Sequence, residues 1–186
     1  RIHFNKWQYV LMHSVIYRTQ LLKDCGLELP KHTFYVDNIF LFEPMIHVRK
    51  LMYINADLYH YYIGREGQSV NEQTMIKRID QQITVNKTLI DFFSKNKPEN
   101  RQLYKFLRQY LDMMMCVASV MCIVSKDKEL FAKKKALWKY LKDTDKKLYH
   151  ELRRTIFGIW MYLPTAFGRW ASTTGYRLMQ KLFVFN

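Results

Sequence analysis

The sequence predicts a mainly α-helical protein with a small β contribution. Its 186 residues include only six glycines and four prolines, fewer than the many turns of an all-β protein need. Hydrophobic residues make up 49% of the chain and aromatic residues 16%, a composition that supports a folded core rather than a disordered polymer. Apolar residues also recur at helical spacing in several long segments.

The first third of the chain predicts two helices separated by a loop. Residues 9–25 have apolar positions at helical spacing, and Gly26 is a suitable C-terminal stop. Pro30 then predicts a loop, because proline disfavours helical backbone at the residue before it. Asp37 is predicted to cap the second helix, and Pro44 is expected to shorten or kink it.

Residues 51–63 are rich in β-forming side chains and predict two short strands or one bent strand. The following segment GREGQSV, residues 64–70, predicts a polar loop. Two long helices are predicted over residues 72–96 and 99–125. The last 14 residues before Ser125 are almost wholly apolar, but a bilayer span needs about 20, so this stretch predicts a buried helix.

The positive charge is concentrated in the second part of the chain. Residues 1–70 carry 8 Lys/Arg against 6 Asp/Glu, a net charge of +2, whereas residues 71–186 carry 22 against 10, a net charge of +12. Within residues 126–154 there are 11 basic and 5 acidic residues on a helical background. Such an excess either meets an anionic partner, namely nucleic acid, acidic lipid or ligand phosphate, or forms a solvated face.

Aromatic residues extend this basic region: Trp160, Tyr162, Phe167, Trp170 and Tyr176. A Lys-rich helix followed by aromatic residues is typical of an anchor at a membrane surface, and a helical core with a solvated basic face explains the pattern equally well. Trp138, Tyr140 and Tyr149 could stack on bases, but lysine predominates over arginine and no nucleic-acid-binding module is present. Nucleic acid is therefore not an expected partner.

Several classes of site have no support in the sequence. The phosphate-binding GxxxxGK[ST], the dinucleotide-binding GxGxxG and the metal-binding HExxH and CxxC patterns are all missing. Three cysteines without metal-ligand spacing predict small buried residues in a reducing compartment, the cytosol. The chain starts at Arg1 without a signal-peptide pattern, which predicts a piece of a longer protein.

The segment FYVDNIFLFEP places one carboxylate, Asp37, among apolar and aromatic residues. As a helix cap, Asp37 would stabilise the protein by about 1 kcal/mol. As a general base, it would gain proton affinity from partial burial beside apolar groups. The residue chemistry alone leaves both interpretations open.

Three ordered parts of the chain together resemble a known family: MHSVIYRTQLLKDCGLELPKHTFYVDN, INADLYHYYIGREGQSV and the basic helical tail. They are similar to the C-terminal part of bacterial family-2 glycosyltransferases, inverting GT-A-fold enzymes that build capsular, exopolysaccharide and teichoic-acid polymers. The match covers residues 9–71, and the tail agrees only in general character. It implies that residues 1–70 are the acceptor-side end of a GT-A α/β domain and that residues 71–186 are a helical basic extension.

The resemblance also implies roles for four residues. Asp37 takes the position of the catalytic base, which deprotonates the acceptor hydroxyl. Val36 stands where many members have Glu, although a VDN variant occurs in this branch. Arg65, with Gln68 and Ser69 nearby, falls in the loop that closes over the donor, and its planar, permanently charged guanidinium suits the donor diphosphate.

The resemblance implies a metal that this chain does not itself bind. Mg²⁺ or Mn²⁺ is expected in the full-length enzyme, held by a DxD motif upstream of the base. Asp143-Thr144-Asp145 has the DxD spacing, but it lies downstream of Asp37 in a Lys-rich helix, which is the wrong order. We therefore expect no metal site in this chain.

The predicted function is transfer of a sugar from a nucleotide-sugar donor to a hydroxyl of a lipid-linked or polymeric acceptor in cell-surface polysaccharide synthesis. The chain is expected to be inactive alone, because the nucleotide-binding half lies outside it. We expect a cytoplasmic location at the inner face of the cell membrane, an anionic membrane surface as partner of the basic tail, and homodimerisation through exposed apolar surface. The alternative is a non-catalytic helical module that binds a membrane surface or a protein partner.

Overall fold

The computed structural model describes residues 10–57, 59–62, 71–162, 168 and 173–178. The described chain is mainly helical, so the predicted fold class is confirmed at that level. Residues 173–178 are helical as well, and two short 3₁₀ turns lie at Met12–Ser14 and Pro44–His47. The remaining helices are α1 (Thr19–Asp24), α2 (Asp37–Phe42), α3 (Glu72–Lys77), α4 (Ile79–Lys95), α5 (Arg101–Val124), α6 (Lys128–Thr144), α7 (Lys146–Arg153) and α8 (Ile156–Met161).

Polar side chains fix where the helices of the second part begin. Asn100, for example, accepts hydrogen bonds from the backbone N–H groups of Gln102 at 2.9 Å and Leu103 at 3.1 Å. The first N–H groups of a helix have no partner within it, so such a cap satisfies them and sets the start of the helix. The same role falls to four other residues: Asn71, Asp127, Asp145 and Thr155.

The core lies where α4, α5 and α6 pack together. Its polar groups are hydrogen-bonded, as burial requires. The Asn86 side chain, which is fully buried, donates to the Met114 carbonyl at 3.0 Å and accepts from Gln82 at 2.8 Å. The indole N–H of Trp138 donates to the Ser119 hydroxyl at 3.0 Å. These bonds tie the three helices together in one register.

The helix α2 packs on this core. Phe42 is fully buried, and its ring centroid lies 6.0 Å from that of Phe93 and 5.7 Å from that of Tyr110. The Tyr110 hydroxyl donates to the Asn38 side-chain oxygen at 2.7 Å. As predicted, Pro44 ends the α-helical stretch, because α2 stops at Phe42 and a 3₁₀ turn follows.

The two long predicted helices are confirmed, with one added break at Arg78 between α3 and α4. The apolar end of the second helix is buried within α5, also as predicted. Within the described part of the chain, α5 alone is long and apolar enough to cross a membrane by length and composition, with a mean hydropathy of 1.4. In this fold 72% of that window is buried inside the protein.

The predicted helix over residues 9–25 is wrong in its extent. The backbone is extended at Val15 and Arg18, and the α-helix begins only at Thr19. The β-branched Val15 and Ile16 lose side-chain freedom in a helix, and the Tyr17 hydroxyl donates to the Leu41 carbonyl at 2.9 Å. The predicted stop is confirmed, since Gly26 has a left-handed φ of +64°.

The predicted strand contribution of residues 51–63 is also wrong where the structure describes it. Residues 51–57 and 59–62 contain no strand, and all of them are exposed. A strand needs the backbone of a neighbour for its hydrogen bonds, and the described segments around this one are helices and turns. The β-forming side chains therefore have no sheet to join.

Candidate functional site

The FYVDN segment, residues 34–38, is held against the start of α4. The Arg78 guanidinium lies 3.5 Å from the centre of the Phe34 ring, and the Phe34 backbone N–H donates to the Gln81 side chain at 2.8 Å. Tyr35 then adopts a left-handed φ of +69°, which is uncommon for a residue with a side chain. This reversal directs the chain into α2.

Asp37 is the first residue of α2 and Val36 is its N-cap, so the predicted cap position is wrong by one residue. The helical bonding starts early because the Tyr35 carbonyl accepts the Asn38 backbone N–H at 3.1 Å and the Val36 carbonyl accepts that of Phe40 at 3.0 Å. The Asn38 side chain also donates to the Tyr35 carbonyl at 2.9 Å. Asn38 therefore holds the Tyr35 carbonyl through both its backbone and its side chain.

Asp37 is half-buried, and burial raises the pKa of its carboxyl above the usual range. Hydrogen bonds from the backbone N–H groups of Asp37 and Asn38, and the charge of His13, oppose this rise in pKa. Burial makes the carboxylate a stronger proton acceptor, and the N–H groups at the helix start hold it in place.

The imidazole of His13, whose charge acts on the Asp37 carboxyl, belongs to an aromatic group. The His13 ring stacks on that of Tyr59, with centroids 4.8 Å apart, and on that of Tyr61 at 5.7 Å. Both tyrosines are exposed, at 55% and 40% of their surface. No sequence pattern marks this group, because His13 and the two tyrosines come from separate segments that only the fold brings together.

The helix α2 is followed by a second half-buried carboxyl, Glu43, whose pKa burial also raises. Residues 37 and 43 lie about 120° apart around the axis of a helix. The two carboxyls therefore point to different sides, and Glu43 does not stand in for the Glu that many members of the resembling family have at the position of Val36.

The predicted donor-binding residues Arg65, Gln68 and Ser69 lie outside the described residues, and their role stays a prediction. A surface depression of about 320 Å³ lies beside α1, lined in part by Lys23, Gly26 and Glu28. Asp37 does not line it. The depression and the candidate base are therefore separate features.

No metal-binding cluster of three or more His, Cys, Asp or Glu side chains is found in the part of the chain that the structure describes. Both carboxylates of the DxD-like pair already have partners within the protein. Asp143 pairs with Lys139, while Asp145 accepts the Leu148 backbone N–H at 2.9 Å and pairs with Lys97. Burial raises the pKa of Asp145, but these two partners together hold it below its usual value. This pair does not fit a Mg²⁺ or Mn²⁺ site.

Comparisons with protein-family models, with curated proteins and with solved structures found no match to this chain. The family assignment therefore still rests on the three sequence segments that carry the resemblance. The geometry around Asp37 is an independent observation, and it is the basis on which a function can be argued.

Proposed function

We propose that this chain is the C-terminal part of an inverting glycosyltransferase in which Asp37 is the general base. The observation that carries the proposal is the half-buried Asp37 carboxylate at the start of α2, on which the charge of His13 acts. The His13 ring in turn stacks on the exposed ring of Tyr59. Sites that orient a small organic ligand typically combine aromatic side chains with a few polar groups, and the ligand proposed for this site is an acceptor sugar. The finer assignment to a GT-A domain over residues 1–70 belongs to this proposal.

The proposed reaction is an in-line displacement. Asp37 removes the proton of the acceptor hydroxyl while the hydroxyl oxygen attacks the anomeric carbon of the donor sugar. The bond from that carbon to the diphosphate breaks, and the nucleoside diphosphate leaves with the bonding electrons, so the anomeric configuration inverts. Neutralising that diphosphate is the chemistry expected of Mg²⁺ or Mn²⁺ bound outside this chain, and Arg65 would assist it.

Replacing the carboxylate in the full-length enzyme tests the base directly. Asp37→Asn keeps the size of the side chain but removes its proton affinity, so kcat should fall by roughly 10²–10⁴-fold with donor affinity nearly unchanged. The exposed Asp24→Asn variant is the matched control and should keep full activity. Unchanged turnover in Asp37→Asn would refute the assignment.

The donor loop needs a binding measurement. Arg65→Ala should weaken nucleoside diphosphate binding measured by calorimetry, because a charged fork to the phosphates is lost. Arg49→Ala, at an exposed position before the loop, is the control. An unaltered dissociation constant for Arg65→Ala removes this residue from the donor site.

A non-catalytic helical module is the second candidate, and exposed apolar side chains on residues 51–62 favour it. They are Leu51, Met52, Tyr53, Ile54, Tyr59, Tyr61 and Tyr62. Such a surface suits a protein partner as well as the missing half of an enzyme. Two results together would favour the module. The Asp37→Asn enzyme would keep full activity, and a captured protein partner would no longer bind after Tyr53→Ser and Ile54→Ser.

A further inference from the structure

The rings of His13, Tyr59 and Tyr61 form one compact group. The imidazole stacks on Tyr59 with centroids 4.8 Å apart and on Tyr61 at 5.7 Å, with interplanar angles of 30° and 23°. The two tyrosine centroids are 6.1 Å apart, and their planes differ by 30°. Rings on opposite faces of an imidazole would lie farther from each other than this, so both tyrosines are on the same side of His13. We call these two rings the tyrosine platform.

The tyrosine platform is covered on one side and open on the other. His13 is half-buried and lies against one side of both rings, whereas Tyr59 is 55% exposed and Tyr61 40%. Neither tyrosine hydroxyl has a hydrogen-bond partner within the part of the chain that the structure describes. Two nearly parallel aromatic faces and their hydroxyls are therefore available to a ligand.

His13 connects the tyrosine platform with the candidate base. The 3₁₀ turn that carries His13 packs against α2. Three residues after this turn, the Tyr17 hydroxyl donates to the Leu41 carbonyl of α2 at 2.9 Å, which holds the segment in place. The charge of His13 acts on the Asp37 carboxyl at the start of α2. The residue that supports the platform is thus also the one whose charge acts on the carboxylate.

The tyrosine platform is free of stacked cations. Guanidinium and ammonium groups lie over several other rings, such as Arg78 over Phe34, but among the described residues none lies over Tyr59 or Tyr61. The negative face of an aromatic ring attracts the positively polarised C–H groups of a sugar ring, whereas a phosphate needs a charged partner. The chemistry of the platform therefore matches an uncharged pyranose better than a polyol phosphate.

We propose that the tyrosine platform binds an uncharged pyranose ring of the acceptor. This role rests on the proposed sugar transfer, and it narrows the acceptor to a molecule that ends in an uncharged sugar. The sugar ring lies on the outer faces of Tyr59 and Tyr61, and one of its hydroxyls is presented to the Asp37 carboxylate. The contact does not involve the donor, so acceptor binding can be measured apart from turnover.

Binding of small glycosides to the full 186-residue chain tests the tyrosine platform. Saturation-transfer NMR with the methyl glycosides of glucose, galactose and N-acetylglucosamine should show contact with the ring protons of at least one of them, and glycerol phosphate should show none. Tyr59→Ala with Tyr61→Ala should weaken this binding by about tenfold, because both rings are lost. Tyr59→Phe with Tyr61→Phe keeps the rings and should retain most of it.

The control for the alanine pair is Tyr53→Ala, since Tyr53 is 74% exposed in the same segment. It should bind glycosides as wild type does. Three results would each overturn the proposal: a wild-type chain that contacts none of the three glycosides, equal binding by wild type and the alanine pair, or glycerol phosphate bound as well as the glycosides.

Kinetics of the full-length enzyme separate this site from the base. The alanine pair should raise the KM for the acceptor by about tenfold and change kcat little, because binding of the ground state is lost. Asp37→Asn should lower kcat and keep the glycoside binding. If the alanine pair leaves KM unchanged while Asp37→Asn abolishes turnover, the platform is refuted and sugar transfer stands. If the platform binds glycosides while Asp37→Asn keeps full turnover, the platform stands and the base is refuted.

Discussion

Residues 10–62 are richer in apolar residues than residues 71–162, but they bury far fewer of them. In residues 71–162 the long helices α4, α5 and α6 each contribute to one core. In residues 10–62 the buried apolar side chains are confined to α2 and the turn after it, namely Ile39, Leu41, Phe42 and Met45. The helical part therefore builds its own core, whereas the part before it contributes fully buried apolar side chains to that core mainly through α2.

The largest effect should come from breaking this packing of α2 on the core. Phe42→Ala removes a fully buried ring that packs between Phe93 and Tyr110, and should lower the free energy of unfolding by about 3–5 kcal/mol, measured by urea denaturation. Phe34→Ala is the control. Its ring is 41% exposed, and losing the Arg78 contact should cost below about 1 kcal/mol. Equal losses would show that α2 is not the main contribution to that core.

Two glycines sharpen the contrast between the regions. A Cβ at Gly158 would lie 1.8 Å from the Leu152 carbonyl oxygen, so Gly158→Ala should destabilise the protein by about 3 kcal/mol or more. A Cβ at Gly26 meets nothing within 4 Å, and only its φ of +64° opposes alanine, so Gly26→Ala should cost about 1 kcal/mol. Differential scanning calorimetry of both variants measures the difference, and the reverse order would contradict it.

Asp112 gives the helical region a pH dependence. Burial raises the pKa of this carboxyl to about 6, partly offset by the Thr155 hydroxyl that donates to it at 2.9 Å and by Arg108. The folded protein holds this proton more tightly than the unfolded chain, so the stabilisation is complete below pH 4 and lost as the pH rises through 6. The loss should be on the order of 2–3 kcal/mol.

Asp112→Asn isolates this contribution. It keeps an oxygen for Thr155 but removes the titration, so its stability should exceed that of wild type at pH 7 and lose the advantage near pH 4. Asp37, Glu43 and Asp145 titrate in both proteins. Their contributions to the free energy of unfolding therefore cancel when the two proteins are compared at the same pH. A difference that does not change between pH 4 and pH 7 would show that Asp112 has an ordinary pKa.

The smallest effect concerns the polar contact across the two regions. Tyr110→Phe leaves the Asn38 oxygen without the hydroxyl that donates to it, at an expected cost of about 1–2 kcal/mol. Tyr53→Phe, at an exposed position, should change stability by less than about 0.5 kcal/mol. Under the proposed function, Tyr110→Phe should also lower kcat, since the start of α2 would lose one of the contacts that position it. If Tyr110→Phe changed neither the stability nor the turnover, the Tyr110–Asn38 contact would have no role in either.

Much of the helical part could be predicted from the sequence, because helix signals such as apolar spacing and proline act over a few neighbouring residues. Apolar spacing identified the two long helices and the buried end of α5, and Pro44 predicted the end of α2. The strand prediction for residues 51–63 failed for a different reason. β-forming side chains indicate how well a segment fits a sheet, but a sheet requires a partner that the described chain does not provide.

The candidate site was predictable only in part. Asp37 stood out as a lone acid among apolar residues, but its placement depends on the left-handed backbone of Tyr35 and on the distant Tyr110. The stacking of His13 on Tyr59 and Tyr61 also depends on tertiary structure. His13 is more than 40 positions from both tyrosines in the chain, and no sequence pattern links them. Arg65, Gln68 and Ser69 stay predictions, as does the sugar-transfer activity itself.

The hydrogen bond between Tyr110 and Asn38 joins residues 72 positions apart in the chain. During synthesis the segment that carries Asp37 leaves the ribosome well before Tyr110 exists, at about 5–20 residues per second. The carboxylate therefore passes several seconds in water, with an ordinary affinity for protons, before the surroundings that alter it arrive. Its raised pKa is acquired late, once α2 has a folded core to pack on.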